Sequence, residues 1–132
     1  MPVGLIGRGI MKNILIAEDE KFISSVIKEI AEREGFNVSV VSTGNEAFTL
    51  IAANRDLYDC VILDLKLPGM NGECIIEHLD KLGSDTKIIV YSGLLDPETY
   101  ARLNRFDMVI SCHQKPTSMS IFESIFKTIN EN

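Results

Sequence analysis

Several features are missing from this 132-residue chain, and each absence removes a class of function. No run of about 18 apolar residues occurs, so no membrane span is expected. The three cysteines, Cys60, Cys74 and Cys112, are odd in number and never in CxxC spacing. That points away from a disulfide framework and towards reduced thiols, used as small core residues in a cytosolic protein. Histidine is scarce: His113 beside Cys112 gives two ligands, short of a zinc site, and His78 falls on the outer face of a helical pattern. Basic charge is in deficit, with a net charge of −6. This argues against non-specific nucleic-acid binding by the domain and leaves a basic protein partner open. Repeats and low-complexity linkers are absent as well, and the length fits one domain with a core of its own.

The first ten residues, MPVGLIGRGI, lack a basic start followed by an apolar block, so they do not read as a signal peptide. Met11 opens MKNILIAEDE, a natural start. Residues 1–10 are therefore expected to be an upstream extension or an expression remnant, and residues 11–132 the domain.

What is present is strict alternation. Apolar strand candidates lie at 13–18 (NILIAE), 37–42 (NVSVVS), 60–64 (CVILD), 87–92 (KIIVYS) and 108–113 (MVISCH). The first, third and fourth are continuous apolar runs, as strands buried on both faces of a parallel sheet require. The second alternates, as a half-exposed edge strand would. Between them run helical stripes: Phe22, Ile23, Val26, Ile27 and Ile30; Ala47, Phe48, Ile51 and Ala52; Ile75, Ile76 and Leu79; Ile121, Phe122, Ile125, Phe126 and Ile129. A further helix would run through Tyr100 and Leu103 towards Phe106. Asp96-Pro97-Glu98 is a helix start. Gly35 and Gly83 stand where the first and third helices should stop. The class is α/β, a parallel sheet covered on both faces by right-handed crossovers.

In such a sheet, function gathers at the carboxyl ends of the strands. Strand one ends in Glu18-Asp19 and strand three in Asp64. Strand four ends in Ser92-Gly93, and Lys115-Pro116 follows strand five. Central strands would bring three carboxylates, a hydroxyl and an ammonium into one crevice. Carboxylates that close repel one another, and burial adds to the cost. A hard divalent cation such as magnesium relieves both, and a lysine balances charge and can hold a phosphoryl oxygen. The crevice fits magnesium-assisted phosphoryl chemistry with an Asp nucleophile. Singly, each residue also has a plainer reading: a turn acid, a helix cap at Asp19-Glu20, a turn hydroxyl at Ser92, a surface lysine at 115.

Four pieces, ILIAEDE, CVILDLKLPGMNG, IIVYSG and HQKP, resemble the receiver domain of two-component response regulators. The likeness runs from Lys12 to Ile129, with 45 residues from Asp19 to Asp64, 28 from Asp64 to Ser92 and 23 from Ser92 to Lys115. It implies a flavodoxin-like (βα)5 three-layer sandwich with strand order 2-1-3-4-5. It implies that Asp64 accepts a phosphoryl group from a sensor histidine kinase or a histidine phosphotransfer protein. Glu18 and Asp19, with Asp64 and the backbone carbonyl of Lys66, would hold Mg2+ or Mn2+. Ser92 would be the switch hydroxyl, Lys115 would contact the phosphoryl group, and Pro68 and Gly72 would shape the loop beside the acid. The protein would be a cytoplasmic signalling phosphoacceptor rather than an enzyme, taking part only in its own phosphorylation and dephosphorylation. An output partner or a second copy would meet the fourth helix, fifth strand and fifth helix. No output domain follows residue 132, which leaves open a free-standing receiver or a piece of a longer regulator.

Two departures stand out. The family usually has an aromatic residue three positions before the lysine, where this chain has Cys112. One extra residue also lies between Ser92 and Lys115, so either the region before the fifth strand is shifted or the aromatic part of the switch is missing. Lys66 occupies the position that tunes phosphate lifetime. The alternatives are a pseudo-receiver that binds proteins without phosphorylation, a flavin carrier and a haloacid-dehalogenase-like phosphatase. The flavin carrier would have to place a phosphate against the acids of AEDE. The phosphatase needs a second acid where Asp64-Leu65-Lys66 has none.

Overall fold

A computed structural model describes residues 12–131. The expected extension at 1–10 and its boundary lie outside the described residues. Five strands alternate with five helices: β1 Asn13–Ala17, α1 Lys21–Arg33, β2 Asn37–Val41, α2 Gly44–Ala53, β3 Cys60–Leu63, α3 Gly72–Lys81, β4 Ile88–Ser92, α4 Pro97–Leu103, β5 Val109–Gln114 and α5 Ser120–Glu131. All neighbouring strands pair in parallel, in the order β2-β1-β3-β4-β5. The flavodoxin-like fold is therefore as expected. Strand ends differ by a residue: Glu18 and Asp64 lie just beyond β1 and β3, and β5 runs on to Gln114.

Alternation along the strands splits the core in two. Leu15, Ala17, Val61, Leu63, Ile88 and Val90 pack with α2, α3 and α4, through Ile51, Ile75, Ile76, Leu79 and Leu103. Ile14, Ile16, Ile62, Ile89 and Tyr91 pack with α1 and α5, through Ile27, Ile30, Phe122 and Phe126. The inner strands β3 and β4 are buried at every residue, whereas the edge strand β2 is nowhere fully buried.

Local chemistry sets the helix ends. Asn71 and Asp96 cap α3 and α4, each side chain accepting from the backbone N–H three residues on at 2.8 Å. Thr43 caps α2: its hydroxyl accepts from the Glu46 N–H at 3.2 Å and donates to the Glu46 carboxylate at 3.1 Å. Gly35 and Gly83 follow the ends of α1 and α3 at φ 91° and 74°, as expected of helix stops.

One stripe position was misread: Phe22 is 81% exposed, whereas Tyr100 lies within α4 as expected and is 46% exposed. Phe22 sits in the first turn of α1, next to the Ile23–Ile27–Ile30 stripe. Phe106 falls beyond α4, half-buried.

The extra residue between Ser92 and Lys115 is absorbed inside β5. Ile88 pairs with Val109 but Ile89 with Ser111, so Ile110 bulges out of the ladder and is 48% exposed. Beyond the bulge the register recovers, with Val90 against Cys112 and Ser92 against Gln114. Cys112 thus lies opposite Val90, three residues before Lys115.

Candidate functional site

Three backbone hydrogen bonds extend the sheet past its strands and assemble the site. The Glu18 N–H donates to the Val41 carbonyl at 3.1 Å, the Asp64 N–H to the Ala17 carbonyl at 3.0 Å, and the Lys115 N–H to the Ser92 carbonyl at 2.9 Å. Each residue thus follows its strand directly, with its side chain at the carboxyl edge. The Lys115–Pro116 peptide is cis.

Lys115 is the hub. Its ammonium donates to Glu18 Oε1 at 2.7 Å, to Asp64 Oδ2 at 3.0 Å and to Glu20 Oε2 at 3.4 Å. An ammonium has three donors and no acceptor, and here each donor faces a carboxylate. Glu18 and Asp64 are buried, at 3% and 6% exposure, while Asp19 and Glu20 are exposed. Ligand oxygens of Glu18, Asp19 and Asp64 lie within 4.8 Å of one another. Burial by itself would lower the Lys115 ammonium, but its hydrogen bonds to Glu18 and Asp64 win and hold it above the usual lysine value. Burial pushes the Glu18 carboxyl above its ordinary 4.5, against the pull of Lys115 and the Glu20 N–H.

This has a consequence for pH. A carboxyl raised in the folded state binds protons more tightly there than in the unfolded chain, so stability falls as pH rises from 4.5 through the folded value. Glu18→Gln removes that loss. The variant's melting temperature minus that of the parent, measured without divalent metal, is expected to grow more positive from pH 4 to pH 7; a difference independent of pH would contradict it.

The open cleft above the hub is lined by Asp19, Glu20, Asp64, Lys66, Gly93, Leu94 and Lys115. Lys66 donates its backbone N–H to Asp64 Oδ1 at 3.1 Å, which orients the carboxylate, and its side chain is exposed at the rim. Ser92 is fully buried. Its hydroxyl accepts from the Leu94 N–H at 3.2 Å, so in this state it acts as a turn residue and lies outside the cleft lining. Pro68 accepts from the Gly44 N–H at 3.0 Å. Gly72 lies against the acid's own backbone: a Cβ there would sit 2.7 Å from the Asp64 carbonyl oxygen and 2.7 Å from Leu65 Cα.

Sequence reading missed two participants. Glu20 holds the N-cap position of α1 without a side-chain cap bond, its carboxylate being turned to Lys115. Its place directly after Glu18-Asp19 was the available signal. Tyr91, with its ring 5.4 Å from the Lys115 ammonium, gave none, since it reads as one more apolar strand residue.

The fold and cleft define a flavodoxin-like α/β domain whose strand ends gather acids around one lysine. The model of the response regulator receiver domain matches residues 14–123, and the chain belongs to that family. Among curated relatives, the transcriptional regulatory protein DltR of Streptococcus agalactiae is 30% identical over 72% of this chain and 41% of its own length. The regulatory protein VanRB of Enterococcus faecalis is 34% identical over 67% of this chain and 39% of its own. The chain thus spans about two fifths of these relatives. Among solved structures, a CheY-like receiver domain from Methanospirillum hungatei superposes with TM-score 0.77 at 28% identity, over 92% of this chain and 96% of that one. The receiver domain of Francisella response regulator 1452 gives 0.80 at 26% identity, over 91% and 97%.

Proposed function

We propose that Asp64 is the phosphoacceptor of this receiver domain, taking its phosphoryl group from a phosphohistidine on a kinase or phosphotransfer protein. The observation that carries the reading is the Glu18–Asp19–Asp64 oxygen cluster bridged by Lys115 at the carboxyl edge of the sheet. In the step, an Asp64 carboxylate oxygen bonds to phosphorus, the phosphorus–nitrogen bond breaks and the imidazole leaves, giving an acyl phosphate. Lys115 then turns its ammonium to a phosphoryl oxygen. Lys66 orients the acceptor through its N–H and stands where it can alter the phosphate's lifetime.

The donor set is all hard oxygen, which suits Mg2+ or Mn2+ and gives no softer alternative. Glu18, Asp19, Asp64 and the Lys66 carbonyl would hold the ion, which when bound neutralises charge that one lysine cannot. Mg2+ at a hundredfold over its dissociation constant is then expected to stabilise the fold by about 2.7 kcal/mol. In Asp19→Asn, which leaves the Lys115 contacts intact, most of the Mg2+-dependent rise in melting temperature is expected to vanish. An unchanged rise would place the ion elsewhere.

The donor meets the protein beside α1. Phe22, 81% exposed and two residues beyond Glu20 of the cleft lining, offers an apolar contact in the first turn of α1. Phe22→Ala is expected to slow transfer from a phosphorylated histidine protein about tenfold, the equivalent of about 1.4 kcal/mol, while labelling by phosphoramidate stays at the parent rate. Equal slowing with both donors would sink this. Output is assigned to the α4–β5–α5 face, where Tyr100 and Ile110 are exposed, through a protein partner or a second copy. Among the described residues no helix is long and apolar enough to cross a membrane; the cytoplasmic site of action is proposed from the family. The pseudo-receiver alternative finds no support in a site whose acids and lysine are all in place.

Beryllofluoride with Mg2+ tests the whole reading. Amide shifts around Asp64, Ser92 and Lys115 are expected, and Ser92 should exchange its turn bond for the bound group. No response would return the chain to the pseudo-receiver reading.

A further inference from the structure

Tyr91 points away from the Ser92 side of β4, onto the face covered by α1 and α5, where it is 2% exposed. Its ring lies 5.4 Å from the Lys115 ammonium, inside the reach of about 6 Å over which an aromatic face attracts a cation. The same ring meets Phe122 of α5 edge-on, with centroids 5.1 Å apart and planes at 81°. Phe122 reaches Phe126 at 6.1 Å, and Phe126 reaches Phe36 at 5.5 Å. A buried aromatic column therefore runs from the hub lysine along α5 to Phe36, just beyond α1. Cys112, at the position of the usual aromatic, packs against the opposite core beneath α2, α3 and α4.

We propose that Tyr91 is a positioning residue: its ring holds Lys115 at the acid cluster and passes movement of that ammonium to α5 through Phe122. The reason is physical. Lysine has a flexible four-carbon stem, and Glu20, at 63% side-chain exposure, pulls the ammonium outward from Glu18 and Asp64. A buried aromatic face opposes that pull at a desolvated site, where its attraction is strongest. The attraction also spreads over the ring, so Lys115 can shift between carboxylate and phosphoryl oxygens while remaining on it. Phe122 is the next side chain to feel the shift, because packed interiors leave little slack.

The coupling half rests on the phosphoacceptor reading, and the positioning half does not. Side-chain NMR of metal-free protein decides the positioning half. The Lys115 ε-methylene signals should lie upfield under the ring current, stay there in Tyr91→Phe and return to ordinary lysine positions in Tyr91→Leu. Ordinary positions in the parent protein would overturn the proposal whatever Asp64 does. Phosphoramidate labelling should slow about fivefold in Tyr91→Leu and be rescued in Tyr91→Phe. Beryllofluoride-induced amide shifts at Phe122 and Phe126 should shrink in the leucine variant alone. Parent-like labelling and parent-like α5 shifts in that variant would overturn the proposal too. Should Tyr91→Leu fail to fold, Phe122→Leu serves: it should keep the Lys115 ring-current shift and lose the response of α5 beyond it, and retention of that response would refute the coupling. Failure of beryllofluoride to bind the parent would count against the phosphoacceptor reading, with the Lys115 signals still deciding the positioning of the lysine.

Discussion

Asparagine at position 64 is expected to cut Mg2+-dependent phosphoryl incorporation from phosphoramidate by on the order of a thousandfold or more, to background. An amide oxygen of near-identical size replaces the carboxylate, so the backbone geometry has no reason to change. The bond from the Lys66 N–H to Oδ1 survives the exchange. Lys115 loses one charged partner, at Oδ2, but keeps Glu18 at 2.7 Å. The charge density of the cluster falls at the same time, which offsets part of the lost ion pair. The melting temperature should therefore move little while labelling disappears. That contrast is the point of the experiment, because a folding defect would lower both. Mass spectrometry of the parent protein should place the added phosphate on the peptide containing Asp64, in an acid-stable, base-labile linkage. Persistent labelling of Asp64→Asn would move the acceptor to Asp19 or Glu18 and undo the proposed assignment of roles.

The layers of this fold were legible because burial leaves a periodic mark. β3 and β4 are buried on both faces and read as unbroken apolar runs, and α3 carries Ile75, Ile76 and Leu79 on one buried stripe. The acids were legible because charge at the tip of a buried strand is costly and so stands out. Periodicity says less about helix ends, where a residue can keep the spacing and still face solvent. Phe22 keeps the helical spacing in the first turn of α1 and is exposed. Counting residues revealed one extra between Ser92 and Lys115 but not its place. An edge strand with one free side accepts a bulge cheaply, and Ile110 took it. Contacts between distant segments left no local mark at all. Gly44 shows this well: a Cβ there would come within 1.5 Å of the Met70 carbonyl oxygen, a clash invisible until α2 and the loop before α3 are placed together. The partnership of Tyr91 with Lys115 was hidden for the same reason.

Close approach of backbone to backbone also makes Gly72→Ala the substitution expected to damage fold and site together. Gly72 opens α3 after the Asn71 cap, and its N–H donates to the Leu65 carbonyl at 2.8 Å. The added methyl would lie 2.7 Å from both the Asp64 carbonyl oxygen and Leu65 Cα, and 3.1 Å from Leu65 Cδ2. The Leu65 side chain can turn aside, but the two backbone atoms cannot. Relief requires α3 to lift or the acceptor's peptide to move. Overpacking of this kind costs about 1–3 kcal/mol, and the higher helix propensity of alanine returns less than about 1 kcal/mol at a first-turn position. The melting temperature should fall by roughly 5–10 °C. Labelling of the remaining folded protein should slow about tenfold or more, because displacing a reacting group by a fraction of an ångström is enough to do so. Gly44→Ala separates the two effects. Its clash is more severe but falls on Met70, away from Asp64, so stability should drop further while labelling per folded molecule drops less. Gly93→Ala, with nothing within 4 Å of its Cβ, controls for the methyl itself and should leave the melting temperature in place. If Gly72→Ala labelled at the parent rate once corrected for folded fraction, Gly72 would serve the packing of α3 alone, and the carboxylate of Asp64 would owe its aim to the Lys66 N–H and Lys115.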